Sequence, residues 1–302
     1  MIKKSLLLFC IFLLLIVPLK AYGKAHGKKD TINIITTLGS SQDIGILGLI
    51  GGVFFDEIKK RLYVTDSSNC RILSYDSEFN YLSALNPKGG LKNPTSLLRT
   101  IDGRFLVVEP SKRNVVVIDV AQKSINLLDL AEVSDSATFN PGRMAIDSDG
   151  NIYIIDRANN RILVFNSNLK FNKEVIKESK IRLDDIKVDR DGYIYTLSTL
   201  EGIARKYDRS GKKILEFGGR GKGRDEFSFP TSLAVDNKGL IYIVDQHKNK
   251  IFVFDRKGKF VFNFSRPGWI EGRLATPSYI FINSSDTIFV VDRDNSRVSI
   301  FK

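Results

Sequence analysis

The sequence predicts an all-β chain, specifically a six-bladed β-propeller with four-stranded blades, and three observations predict it. A pattern recurs six times between residues 31 and 302, with a period of 42 to 47 residues. Each copy contains short apolar strands separated by turns rich in aspartate, asparagine and glycine. The incomplete units at the two ends of this region complement each other. Units of this length with four strands each are typical of propeller blades.

The repeat is clearest where a strand ends on an acidic residue. In the third unit, the strand over residues 152–156 ends on Asp156 and is followed by Asn159 and Arg161, which opens the next strand. The same slot recurs in every unit. Its six occupants are Asp66, Glu109, Asp156, Ser198, Asp245 and Asp292. Self-similarity at this period indicates one fold built from a repeated supersecondary unit.

The aspartate and the arginine of this pattern have a structural explanation. Four residues separate Asp156 from Arg161, so we expect the two side chains to face each other across the mouth of a hairpin. Opposite charges in that arrangement contribute roughly 0.2 to 1 kcal/mol. We interpret the pair as a hairpin clasp in preference to a ligand contact. In units two and four, Glu109 and Ser198 replace the aspartate and the arginine is missing, which puts their clasps in question.

The ends of the repeat region predict how the ring closes. The sixth unit stops at Lys302, directly after its third strand, and residues 31–38 form an unassigned strand ahead of the first unit. We expect this N-terminal strand to complete the last blade, which removes a free sheet edge.

The first 30 residues predict export. A basic start precedes an apolar run from Leu6 to Leu19, and a small-residue cleavage site follows it. We expect a signal peptide over residues 1–23, a short basic leader over 24–30 and the propeller over 31–302. The location would be extracytoplasmic, either periplasmic or secreted. The run is short of the ~20 residues that a spanning helix needs, so membrane attachment through an uncleaved leader is the alternative.

Composition limits the partners and the forces that hold the exported chain together. It keeps one cysteine, Cys70, so no internal disulfide can form and burial must stabilise a chain that we expect to be monomeric. The net charge of +12 falls to about +9 once residues 1–23 are removed. A basic balance attracts anionic partners, and we expect a protein or an anionic cell-envelope ligand. Nucleic acid suits the charge but not an exported protein.

Metal sites receive little support. A three-histidine zinc site is excluded by count, because only His26 and His247 exist. The turns at residues 147–150 and 189–192 superficially resemble calcium loops, but they lack the bidentate glutamate at the twelfth position and lie where the repeat already needs a hairpin turn. No cofactor is predicted, and calcium is the one metal that the composition leaves open.

The repeat resembles the NHL repeat. The resemblance rests on Asp-Gly-Asn-Ile-Tyr-Ile followed by Asp-x-x-Asn-x-Arg-Ile over residues 149–162, and on a glycine-rich stretch over residues 217–230 that is similar to the linker between NHL blades. It covers about nine tenths of the chain. It implies a propeller that binds protein, RNA or envelope ligands on one face. Some relatives are enzymes, among them the peptide amidating lyase, and more distant ones include lactonases and streptogramin lyase.

The fold alone does not choose among these functions. Our main hypothesis is an exported, non-enzymatic binding scaffold for which no catalytic residue is predicted. The alternative is a metal-dependent lyase or hydrolase, lactonase-like, with its site over the central channel.

The candidate ligand residues lie on loops that should share one face of the ring. In a four-stranded blade, the loop between the second and third strands opens on the same face as the link between blades. Trp269 lies there beside several cations, which suits an anionic or sugar-like partner; packing between blades five and six is the favoured alternative for this side chain, since tryptophan is usually buried. The predicted ligand-binding residues are Arg157, Arg220, Lys222, Arg224, His247, Lys248, Trp269, Arg273 and Arg293.

Overall fold

The computed structural model describes residues 32–86 and 89–302. The predicted signal peptide (1–23) and basic leader (24–30) lie outside these residues. In the described part of the chain, no helix has the length and the apolar content needed to cross a bilayer.

The described residues form six four-stranded antiparallel sheets, which are the predicted blades. The strands are, in chain order, β1 (Ile34–Leu38); in blade one β2 (Ile50–Asp56), β3 (Arg61–Asp66), β4 (Arg71–Tyr75) and β5 (Tyr81–Leu85); in blade two β6 (Ser96–Arg99), β7 (Phe105–Glu109), β8 (Asn114–Asp119) and β9 (Ser124–Leu127); in blade three β10 (Pro141–Ile146), β11 (Ile152–Asp156), β12 (Arg161–Phe165) and β13 (Phe171–Lys177); in blade four β14 (Asp185–Val188), β15 (Ile194–Ser198), β16 (Ile203–Tyr207) and β17 (Lys213–Gly218); in blade five β18 (Pro230–Val235), β19 (Ile241–Asp245), β20 (Lys250–Phe254) and β21 (Phe260–Phe264); and in blade six β22 (Pro277–Ile282), β23 (Ile288–Asp292) and β24 (Arg297–Phe301).

The six sheets close into a ring around their first strands. Strands β2, β6, β10, β14, β18 and β22 each contact the next in that order, and β22 contacts β2. These strands therefore surround a central channel. The predicted six-bladed all-β architecture is confirmed.

The first strand completes the last blade, as predicted. Strand β1 pairs antiparallel with β24, with Ile34 opposite Phe301 and Leu38 opposite Val298. The backbone N–H of Asn33 donates to the carbonyl of Lys302 at 2.8 Å, and the reverse bond measures 2.9 Å. These main-chain hydrogen bonds join the two ends of the described chain, and β1 covers the edge of β24 that would otherwise be unpaired.

The hydrophobic core lies between the blades. The second and third strands are near-continuous apolar runs, such as Ile152–Asp156, in which every residue is buried. Such runs are typical of strands covered on both faces, and here the neighbouring blades cover them. The outermost strands alternate instead; β21 has Val261 exposed and the flanking phenylalanines half-buried, because one side of each outer strand faces solvent.

The two ends of the ring are built from different loops. The linker face carries the links between blades and the hairpin loops that join second and third strands. The two kinds of loop are hydrogen-bonded there, for example from the N–H of Arg157 to the carbonyl of Asn140 at 2.8 Å and from Gln246 to Phe229 at 2.9 Å. This contact confirms that both loops share one face. The turn face, at the opposite end, carries the turns between first and second strands and between third and fourth strands.

Turns on the turn face are held by aspartates. The Oδ1 atom of Asp147 accepts the backbone N–H groups of Asp149 and Asn151 at 3.0 and 2.8 Å. Gly150 has a φ of +81°, in the left-handed region that glycine adopts without strain. The resemblance of this loop to a calcium site is therefore explained by a hairpin turn whose carboxylate is already hydrogen-bonded.

Candidate functional site

The conserved spacing of the repeat builds an ion-paired clasp on the linker face. Asp156 and Arg161 are paired in register at the end of β11 and the start of β12, with Nε to Oδ2 at 3.0 Å and both side chains fully buried. The equivalent distances are 2.9 Å for Arg71 to Asp66 and 2.8 Å for Arg297 to Asp292. The clasp interpretation is confirmed in these three blades.

The clasp also fixes the link that enters its blade, which the sequence did not reveal. The second oxygen of Asp156 accepts the backbone N–H of Asn140 at 3.1 Å, while Arg161 donates to the carbonyl of Ser134 at 2.5 Å. One ion pair thus joins a hairpin to a linker segment far away in sequence. The linkers vary in length and residue type, so no fixed spacing could have signalled this contact.

Blade two reaches the same result with a different acid. Glu109 accepts the backbone N–H groups of Lys92 and Asn93 at 2.7 and 3.0 Å. Burial alone would raise the pKa of the Glu109 carboxyl, but these N–H groups and Ser111 outweigh it and hold the pKa below its usual range. The missing arginine in this blade does not leave the linker free.

Blade four reverses the arrangement. The linker itself supplies the acid, since Asp184 accepts the backbone N–H of Thr199 at 2.9 Å. Ser198, in the slot of the missing aspartate, donates to the carboxylate of Glu201. The hairpin and the linker are therefore still joined, with the acceptor on the other partner.

The clasp of blade six presents a tryptophan to solvent. Arg297 donates to the carbonyls of Trp269, Ile270 and Arg273 at 3.1, 3.0 and 2.9 Å, and Asn295 donates to that of Gly268 at 3.1 Å. These bonds fix the loop from inside. Yet the side chains of Trp269 and Ile270 are 73% and 64% exposed. The expectation that Trp269 fills the groove between blades five and six is wrong, because the backbone carbonyls of the loop take the inward position instead.

Four of the predicted ligand residues belong to the linker between blades four and five or contact it. Arg220 donates to the carbonyls of Leu200 and Ser228 at 3.2 and 3.1 Å. The Lys248 ammonium donates to the carbonyl of Glu226 at 2.6 Å, and the His247 ring stacks on Phe229 with centroids 4.6 Å apart. The Arg224 guanidinium lies 5.0 Å from the ring centre of Phe260. These contacts give the four side chains structural partners.

The remaining predicted residues have fewer side-chain partners among the described residues. Lys222 and Arg293 are exposed, and Arg293 approaches the neighbouring Asp294 at 3.4 Å. Arg273 packs against Gly268, where an added Cβ would lie 2.6 Å from its Cδ. Arg273 and Trp269 lie on the loop between blades five and six, Arg293 lies on the hairpin of blade six, and Lys222 lies on the link between blades four and five.

Arg157 stands apart from that group, on the hairpin of blade three. It lies against Gly142, where an added Cβ would be 2.9 Å from its Nε. Crowding by protein atoms and then repulsion by Arg143 hold the pKa of Arg157 below its usual range, although solvent still reaches the side chain. Arg157 therefore lies on the linker face, against the inner strand β10 of its own blade.

Three side chains cross the channel, and sequence reasoning missed all of them. Arg143 of blade three donates to the carbonyls of Gly51 and Thr95 at 2.8 and 3.0 Å, and its guanidinium lies 4.2 Å from the ring centre of Tyr279 in blade six. The Lys187 ammonium of blade four donates to the Tyr279 hydroxyl at 2.7 Å. We call Arg143, Lys187 and Tyr279 the channel crossbar.

A cavity of about 360 Å³ lies on the turn-face side of the crossbar. The inner strands of all six blades contribute to its wall, which is mostly apolar. Its lining includes Phe54, Leu98, Met144, Ala145, Ile146, Val188, Ala234, Val235, Tyr279, Phe281 and Ile282, with Lys187 between them and Asp56, Glu57, Arg99 and Asp147 at the mouth. Asp56 and Arg99 form an ion pair with each other.

The strand register shows what could have pointed to Lys187. The position it occupies in blade four is filled in the other blades by apolar residues, which are Phe54, Leu98, Ala145, Ala234 and Phe281. A charge at a repeat position that is otherwise apolar is a signal, but it becomes visible only after the inner strands are aligned.

Within residues 32–86 and 89–302, no group of three or more histidine, cysteine, aspartate or glutamate side chains is placed to hold a metal ion.

Comparisons with protein families agree with the observed architecture. Residues 206–261 and 237–302 match the model of a family described as a 6-bladed beta-propeller, and residues 140–165 match the NHL repeat. A search of curated proteins gave no match.

Solved structures share the fold at low sequence identity. Virginiamycin B lyase from Staphylococcus aureus superposes with a TM-score of 0.65 at 12% identity, over 90% of this chain and 99% of that one. An auxiliary nutrient binding protein from Bacteroides thetaiotaomicron gives 0.65 at 15%, over 90% and 73%. A gluconolactonase from Xanthomonas campestris gives 0.63 at 14%, over 84% and 86%. At these identities the likeness is one of fold, and lyases, lactonases and binding proteins all share it.

Proposed function

We propose that this chain, a six-bladed β-propeller with NHL-type blades, is an exported, non-enzymatic binding protein whose linker face docks an acidic protein partner. The observation that carries the proposal is the loop over residues 266–274. It holds an exposed Trp269 on a backbone fixed by Arg297 and Asn295.

A fixed loop with an exposed tryptophan has the properties of a binding hot spot. Tryptophan is enriched among such residues and buries roughly 150 to 250 Å² when it is covered. Because Arg297 already orders the loop, a partner pays little entropy to dock on it. Ile270 extends the apolar surface beside the ring.

The charges around this loop favour an anionic partner. Arg273 lies on the same loop as Trp269, Arg293 is exposed on the hairpin of blade six, and Lys222 is exposed on the link between blades four and five. Cations at the rim of an apolar contact steer an oppositely charged partner and raise its association rate. The net charge, +12 for the full sequence and about +9 without residues 1–23, adds to the same attraction.

Site-specific photo-crosslinking in cells tests the proposal. A photoreactive amino acid at position 269 is expected to give a discrete protein adduct, while the same group at Val120, which is 52% exposed on the turn face, gives none. Adducts of equal yield at both positions, or a polysaccharide or lipid adduct at 269, would contradict docking of a protein on this face.

Purified partner then allows a quantitative check. Trp269→Ala is expected to weaken binding roughly 30-fold or more, as hot-spot truncations of about 2 kcal/mol do, without changing the unfolding temperature. Arg293→Glu should lower the association rate. Stoichiometric calcium or zinc in the purified chain, together with lactone hydrolysis or lyase activity, would overturn the hypothesis that the protein is not an enzyme.

A further inference from the structure

The cavity at the turn-face end of the channel has the composition of a small-molecule site. Its volume of about 360 Å³ falls within the range of roughly 300 to 1,000 Å³ that is usual for ligand pockets. Its wall is apolar, and its mouth is extended by Ile58 and Ile101, which are 64% and 54% exposed. Exposed isoleucines around a concave apolar wall indicate a surface that a ligand covers.

One positive charge lies inside this wall. The Lys187 ammonium is half-buried, 4.7 Å from the ring centre of Tyr279 and 5.4 Å from that of Phe281. Among the described residues it has the Tyr279 hydroxyl as its hydrogen-bond acceptor, at 2.7 Å, and no carboxylate as an ion-pair partner. An ammonium has three N–H donors, so two remain for a ligand.

The crossbar makes the cavity blind. Arg143 spans the channel from blade three to the carbonyls of Gly51 and Thr95 and stacks on Tyr279. A ligand therefore enters from the turn face, and its leading group meets Lys187. Both bonds use Nη1 of Arg143 and fix its guanidinium against Tyr279, whereas Lys187 belongs to the cavity lining and is the ammonium donor that faces the cavity.

The charges at the mouth restrict the ligand to a single negative charge. Glu57 and Asp147 lie at the rim; Glu57 is paired with Lys60 and Arg99 with Asp56, so among the described residues Asp147 is the rim acid without an ion-pair partner. Acidic groups at the entrance repel a phosphate or a polyanion more strongly than a monoanion. One ammonium at the base balances one carboxylate.

From this geometry we infer that the channel cavity binds an amphipathic monocarboxylate, with its carboxylate on Lys187 and its apolar body against the wall formed by Ile146, Val188, Val235 and Ile282. This site is independent of the protein-docking function proposed for the linker face.

Calorimetric titration of the purified chain with octanoate tests the inference. Octanoate is expected to bind at one site, and Lys187→Met is expected to weaken it roughly tenfold to a hundredfold, because a hydrogen-bonded charge pair is lost. Octanol and acetate should bind at least tenfold more weakly than octanoate, since each lacks one half of the recognition.

A neighbouring lysine supplies the matched control. Lys206 is also half-buried and stacks on an aromatic ring, 3.9 Å from the centre of Tyr193, but it lines an adjoining groove of about 570 Å³. Lys206→Met should leave octanoate binding unchanged. Absence of octanoate binding, equal binding by Lys187→Met, or an equal loss in Lys206→Met would overturn the inference.

Two sources of the same chemistry are separated by a second probe. N-acetylated trileucine carries its carboxylate on an apolar peptide end. Tighter binding of octanoate identifies a free aliphatic acid, and tighter binding of the peptide identifies a chain terminus; either depends on Lys187. Trp269→Ala should affect neither titration, so failure of one proposal leaves the other standing.

Discussion

Both faces of the ring carry an acidic side chain in nearly every blade, yet the two sets hydrogen-bond different parts of the chain. On the linker face, Asp156 is fully buried and joins a hairpin to a linker residue 16 positions away. On the turn face, Asp147 accepts the N–H groups of its own turn and the hydroxyl of Tyr153, six positions away. The first set organises neighbouring blades, whereas the second closes local turns.

The difference accounts for where the two proposed sites lie. Acids and arginines on the linker face hydrogen-bond the backbone N–H and carbonyl groups of the linkers. The backbone of Trp269 is fixed in this way, and its side chain faces outward. On the turn face, Asp147 closes a turn within its own blade, and the pair of Asp56 with Arg99 joins blades one and two at the rim without covering the cavity, so the channel mouth stays open. A rigid outer surface suits a macromolecular partner, and an open blind cavity suits a small one.

The largest effect is expected from breaking a linker-face clasp. Asp156→Ala leaves the Arg161 guanidinium, with 1% of its side chain exposed, without its buried counter-ion. Removal of one member of a buried pair costs about 3 to 5 kcal/mol of unfolding free energy. Urea denaturation measures it. Lys170→Ala, which breaks an exposed pair with Asp129, should cost less than about 1 kcal/mol; equal losses would refute the distinction.

An intermediate effect should separate the two faces by pH. The pKa of Glu109 lies below its usual range, so its ionised form contributes stability above the unfolded pKa and loses it as pH falls through the folded value. Glu109→Gln is expected to cost about 1 to 3 kcal/mol at pH 7, with the loss shrinking toward pH 3.

Asp236 on the turn face should show the opposite trend. Burial, followed by the charge of Asp286, raises its pKa, so its ionisation costs stability at neutral pH and protonation relieves that cost as pH falls. The unfolding free energy of the parent chain should therefore rise relative to that of Asp236→Asn as the pH is lowered from 7. Urea unfolding across this pH range checks both variants, and parallel trends would contradict the contrast.

The smallest effect is expected from removing a single hydrogen bond that holds a turn on the turn face. The Tyr195 hydroxyl donates to Asp189 at 3.0 Å, and burial together with this carboxylate raises the pKa of Tyr195. Tyr195→Phe should cost about 0.5 to 1.5 kcal/mol, the usual worth of one hydrogen bond. Thermal unfolding measures it, and a loss as large as that of a clasp would show that the turns also organise the ring.

The sequence allowed the fold to be predicted but only part of the sites. Strand period, turn chemistry and the complementary ends are local signals, and β1 pairs with β24 as those ends required. The clasp of Asp156 with Arg161 followed from hairpin register. The crossbar did not, because Arg143, Lys187 and Tyr279 belong to three blades and meet only when the ring closes.

The predicted ligand residues show the same limit. Their shared face followed from blade topology, but whether a cation is free depends on its partners. Arg220 and Lys248 are bound to linker carbonyls, which no spacing in the sequence announces. The exposure of Trp269 likewise depends on the carbonyls that Arg297 holds.

The joining of β1 to β24 has a consequence for assembly between molecules. Until β1 docks, blade six has three strands and β24 offers a row of unpaired N–H and C=O groups. The same groups can form the same hydrogen bonds with β1 of another copy, which is the geometry of a domain-swapped dimer. During refolding, pairing of β1 with β24 of another copy therefore competes with pairing inside one chain, and the share of domain-swapped dimer should rise with protein concentration.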